Sequence, residues 1–103
     1  MGIDLRWEEE PGCRLIEELR DDGSLVAQFL AESRLLDLPY LRWIDHRSHT
    51  VFHQQHIRQL IAELEKLSEQ QHEPAVARHL QAVLELVREA RGRSGSYIRF
   101  YGH

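Results

Sequence analysis

Residues 40–52 read YLRWIDHRSHTVF, and the parsing of this stretch decides the fold. Leu41-Arg42-Trp43 repeats an apolar-Arg-aromatic triplet that occurs at Leu5-Arg6-Trp7 and again at Ile98-Arg99-Phe100. Side chains alternate faces along a strand. Each triplet would then send two apolar groups one way and its arginine the other. The stretch predicts a strand from Tyr40 to Ile44, started by Pro39, and a polar turn at Asp45-His46-Arg47-Ser48. A short return strand follows at Thr50-Val51-Phe52, rich in β-formers. Three triplets in one sheet would set a dry face against helices and align Arg6, Arg42 and Arg99 on the opposite face.

Downstream, the hydrophobic period changes from two to 3.6. Ile57, Leu60, Ile61, Leu64 and Leu67 form an amphipathic face that predicts a helix from about residue 54 to 70. Pro74 suits the first turn of a second helix. Val76, Leu80, Val83, Leu84 and Val87 carry it to about Arg91, where Gly92 can end it. The short gap makes the two helices antiparallel neighbours. Ser96 to Tyr101 alternates again and predicts a last strand that returns to pair with an early one.

Upstream, Ile3, Leu5 and Trp7 alternate with Asp4, Arg6 and Glu8, and Pro11-Gly12 signals a turn. Cys13 to Leu19 reads as the second strand of a hairpin. A helical turn competes, because Leu15, Ile16 and Leu19 also fit that spacing. Ser24 is the expected N-cap of a short helix from Leu25 to Ser33, with Leu25, Val26, Phe29 and Leu30 as its stripe. The expected fold is α+β: residues 1–103 form one domain, with an antiparallel sheet of four to five strands. Two long antiparallel helices and one short helix would pack on one face, around Trp7, Trp43, Phe52 and Phe100.

The apolar fraction of 42% and charged fraction of 29% are those of an ordinary soluble domain. No apolar run approaches the roughly 20 residues that cross a bilayer, so no membrane association is expected. The first residues lack a basic start and an apolar stretch, and Arg6 breaks the myristoylation pattern, so the expected location is cytoplasmic. One cysteine, Cys13, excludes an intrachain disulfide and any multi-cysteine metal site. The net charge of −4 is uneven: residues 1–22 carry eight acids against three arginines, a local balance of −5. A local acidic surface suits a basic partner.

Chemistry-bearing patterns are sparse. His46, His49, His53 and His56 are spaced H-x2-H-x3-H-x2-H, but Thr50-Val51-Phe52 interrupts them with strand formers. Only His53 and His56 then share a helical turn, and two ligands make a metal site, and with it a metal-dependent enzyme, only with a carboxylate brought from elsewhere. No cofactor is expected. Gly92-Arg93-Ser94-Gly95-Ser96 has the composition of a phosphate loop but follows a helix, where carbonyls point outward. The carboxylates at Glu8-Glu9-Glu10 and Asp21-Asp22 are sequence neighbours that point apart. No enzyme is expected.

Two binding surfaces remain. Asp4, Glu8, Glu9 and Glu10 with Tyr40 and Arg42 are the candidate protein interface. Arg6, Arg42 and Arg99 with Tyr97 are the candidate anion or single-stranded nucleic-acid face, enlarged by Arg88, Arg91 and Arg93. Acidic neighbours at Asp4 and Glu8 would neutralise that row as a salt-bridged sheet surface, and the negative total charge weighs against nucleic acid. A homodimer is compatible with either surface.

The order of GIDLRWEEE (residues 2–10), LPYLRWID (38–45), TVFHQQ (50–55) and YIRFYG (97–102) resembles a group of small uncharacterised bacterial proteins, many of them actinobacterial. In that group the middle turn is often Asp-Pro-Tyr-Gly-Asp, from which Asp45-His46-Arg47-Ser48-His49 departs. Size and acidity are also similar, at the level of class, to bacterial toxin-immunity proteins. That likeness implies a protein-binding module that covers a basic toxin domain, and it supplies no functional residues to carry over.

Overall fold

The computed structural model describes residues 2–102. Their hydrophobic alternation builds the expected hairpin, β1 (Ile3–Glu9) and β2 (Arg14–Leu19). The helical competitor for the second segment is not formed. The last segment, β4 (Ser96–Gly102), runs antiparallel along β1, and β3 (His49–Phe52) pairs antiparallel with its other side. The sheet has four strands, not five, in the order β2-β1-β4-β3.

Register sorts the side chains. Leu5 faces Phe100, and Trp7 faces Ile98, which faces Phe52. These residues are buried in one core with Ile57, Leu60, Leu64, Val83 and Val87 from the helices. The opposite face carries Arg6 against Arg99, Glu8 against Tyr97, and His49 against Tyr101. One face is therefore dry, and one carries charge.

Helices α1 (Leu25–Ser33), α3 (Gln54–Ser68) and α4 (Pro74–Ala90) form where their stripes predict. Pro74 is the first residue of α4, and Gly92 follows it in the left-handed region at φ 86°. Gln54 anchors that end: its amide nitrogen donates to the Ala90 and Ser96 carbonyls, and its oxygen accepts from the Gly92 N–H. The orphan groups at a helix C-terminus are thereby satisfied from another helix.

Three expectations are corrected. Ser24 lies in the left-handed region at φ 53° and makes no side-chain cap. The buried Asp21 carboxylate caps α1 instead, accepting from the N–H groups of Leu25 and Val26 and also from Ile3 at the start of β1. Second, Tyr40–Ile44 is not a strand. Pro39–Arg42 is a helical turn, α2, and Trp43 continues its right-handed conformation. Pro39 presets the first helical φ, and the Glu63 carboxylate on α3 accepts from the N–H groups of Tyr40 (3.1 Å) and Leu41 (3.0 Å). Leu41 and Ile44 are buried, while Tyr40 and Trp43 stack, a spacing of three within each pair. Third, Trp43 is 56% exposed, while Trp7, Phe52 and Phe100 are buried as expected.

Candidate functional site

On the charged face, β1 and β4 hold Arg6 and Arg99 as direct cross-strand partners. Like charges in that position repel. Glu8, two residues from Arg6 on the same face, resolves the conflict. One of its oxygens accepts from Arg99 Nε at 2.9 Å, and the other lies 3.1 Å from Arg6 Nε as an ion pair without hydrogen-bond geometry. Glu18 on β2 lies 3.8 Å from Arg6 Nε, and Arg99 Nη1 is 2.8 Å from His49 Nδ1. Burial alone would lower the pKa of Arg99, but the Glu8 carboxylate and the Tyr97 phenol more than offset it and raise it. The Arg99 guanidinium also covers the Tyr97 ring at 5.7 Å.

Tyr97 is 2% exposed, so it offers no stacking surface. Burial, with Cys13 and Glu8 nearby, pushes its phenol up to about 12. Glu9 points to the other side of β1 and binds two arginines: Arg14 and, at 3.0 Å, Arg93. The hydrogen bond from Arg14 is the main reason that its pKa falls below the ordinary carboxylate range; burial opposes it. Arg93 also lies 5.6 Å over the Trp7 ring.

The structure therefore does not assemble either sequence-predicted surface as a unit. Arg42 sits on α2, away from the Arg6–Arg99 pair, because its segment is helical. Glu8 and Glu9 are buried and ion-paired, while Glu10 is exposed and Asp4 half-buried, its Oδ1 accepting from the Asp21 N–H. Tyr40 belongs to the side of the molecule where α2 meets α3, and Arg42 lines a cleft with Leu30 and Ser33 of α1.

What the structure does bring together is a set of rings around Trp43. Trp43 stacks on Tyr40 with centroids 4.6 Å apart and planes 21° from parallel. Tyr40 stacks in turn on the buried Phe52 at 5.9 Å, and His56 meets Tyr40 edge-on at 5.7 Å. His53 continues the row, 6.4 Å from His56 and 5.7 Å from Tyr97. The stack stands on the Glu63 cap, which is itself 2% exposed and also receives Gln59 Nε2. Offset stacking of this kind adds about 0.5–1.5 kcal/mol per pair. It presents Trp43 as a broad apolar surface on a rigid base.

His53 and His56 stay within one turn, but among the described residues no group of three His, Cys, Asp or Glu side chains is placed to hold a metal. None of the helices in the described residues is long and apolar enough to cross a membrane. Sequence reasoning missed Glu63 and the exposure of Trp43. A signal for Glu63 was present: a carboxylate on the apolar stripe of α3, between Leu60 and Leu67, must find a buried partner. Compared with known proteins, the chain matches no family model, no curated protein and no solved structure.

Proposed function

We propose that the protein is a protein-binding module anchored by Trp43. The observation that carries this reading is the large exposed indole fixed by stacking on Tyr40. Binding hot spots favour tryptophan, and a side chain already held in place loses little entropy on docking. Leu35, 92% exposed, is a second apolar group without cover.

The finer reading is an immunity-type inhibitor of a bacterial toxin that acts by steric occlusion. Its support is the class-level likeness in size, acidity and α+β architecture. With Glu8 and Glu9 internally paired and Asp4 holding the Asp21 N–H, the exposed Glu10 is the member of the acidic group that faces solvent to steer a basic partner. The arginine face has weaker support as an anion or nucleic-acid site, because its charges already meet Glu8 and its tyrosine is covered.

The test is affinity capture from the native organism by the wild type and by Trp43→Ala. Bound protein is identified by mass spectrometry, and nucleic acid is checked by absorbance ratio. The expected result is a stoichiometric basic protein retained by the wild type and lost by the variant, with the variant's fold intact by circular dichroism. Recovery of both proteins alone, or equal capture by both, would overturn the reading.

A further inference from the structure

We infer that a cavity between α1 and α2 binds a small organic carboxylate with an apolar body about the size of benzene. The cavity is about 150 Å³. Its floor is Leu30, Leu41 and Ile44, all buried, with the Ser33 side chain at the same level. Its rim is Arg34, Arg42 and His46, all exposed. No carboxylate lines it, although the chain as a whole carries a net charge of −4.

The rim cations lack strong partners. The Arg34 side chain makes no hydrogen bond or ion pair with any described residue. Arg42 Nη2 has a 3.5 Å contact to the Leu36 carbonyl, at the edge of hydrogen-bonding distance. Arg6, Arg14, Arg20, Arg88, Arg93 and Arg99 each meet a glutamate, whereas Arg34 and Arg42, like Arg47, Arg58, Arg78 and Arg91, make no ion pair with a described residue. Two guanidinium groups over a largely apolar floor complement a ligand with one anionic end and one apolar end. Arginine binds carboxylates through paired, charge-assisted hydrogen bonds. The volume of this partly open cleft matches that of a benzene-sized group.

The walls are held from behind. The 45–48 turn carrying His46 packs on β4, where a Cβ at Gly102 would come within 2.5 Å of the His46 carbonyl oxygen. The Gly102 N–H donates to the Ser48 carbonyl at 2.9 Å. Leu41 lies in the α2 turn capped by Glu63, and Ile44 follows that turn. None of the lining residues belongs to the Trp43 stack, and the inference does not rest on the protein-binding reading.

The experiment is an amide NMR titration of the full chain with benzoate, and with benzyl alcohol as a neutral probe of similar size. The expected result is saturable benzoate shifts confined to amides around the cavity, with benzyl alcohol binding at least about tenfold more weakly. Arg34→Gln/Arg42→Gln should weaken benzoate about tenfold. Both arginines are exposed, and Arg34→Gln alone serves if the double variant does not fold. Absence of saturable shifts, equal affinity for the two probes, or unchanged affinity in the arginine variants would each overturn the inference.

Discussion

Arg6 and Arg99 stand directly opposite each other on β1 and β4, and each turns its Nε to the same carboxylate, Glu8. Two like charges on adjacent strands are tolerated because a third charge of opposite sign is 4% exposed between them. The face that looks basic in sequence is electrostatically closed.

Replacing Glu8 tests that closure. Glu8→Gln should destabilise the fold by about 2–4 kcal/mol, since it strands two partly covered guanidinium groups beside each other. Adding Arg6→Gln should recover part of the loss. Urea unfolding of the single and double variants measures both, and a single-variant effect below about 0.5 kcal/mol would mean that solvent already screens the pair.

Glu63 governs the shape of residues 39–44. Its carboxylate holds two backbone N–H groups of α2. Glu63→Ala should cost about 2–4 kcal/mol, as one buried and one partly buried donor lose their partner. Because Trp43 rides on that turn, its fluorescence should shift in the folded variant. Unchanged emission together with unchanged stability would argue against the cap.

Asp21 ties the start of β1 to the start of α1 by accepting from Ile3, Leu25 and Val26. Asp21→Ala is expected to cost about 2–3 kcal/mol. The exposed neighbour Asp22 provides the control, with an effect of Asp22→Ala within about 0.5 kcal/mol. Thermal melts of the two variants should separate clearly.

The acid limb of stability should carry a contribution from Glu9, whose pKa is lowered by hydrogen bonding to Arg14 and by the nearby charge of Arg93 against the opposing effect of burial. A depressed carboxylate stabilises the fold fully above its unfolded pKa, about 4.3. That contribution disappears as pH falls through the lower folded value. Glu9→Gln should flatten the loss of stability in this window and leave the slope above it unchanged. Chemical unfolding at a series of pH values reads this, and an identical acid slope in both proteins would contradict it.

Long patterns were legible without the tertiary structure. The five apolar positions from Ile57 to Leu67 match one period over several turns, and α3 forms there. The alternation in Ile3–Trp7 and Ile98–Phe100 set those strands, and a strand after two helices had to return to the sheet. The candidate sites were less legible. Glu8, Glu9 and Glu10 look alike in sequence, but the strand sends Glu8 to Arg99 and Glu9 to Arg93, and leaves Glu10 in solvent.

By its own periodicity, the sequence determined the antiparallel α+β architecture, the hairpin, both long helices and the pairing of its two end strands. Leu41-Arg42-Trp43 was beyond it. Three residues satisfy a period of two as easily as a period near three, so local pattern cannot choose between strand and helix. The tertiary structure chose, through a carboxylate 22 residues beyond Leu41 that caps a helical turn and cannot be buried without those N–H groups. That choice removed Arg42 from the sheet, put Trp43 at the surface, and opened the cavity beside α1.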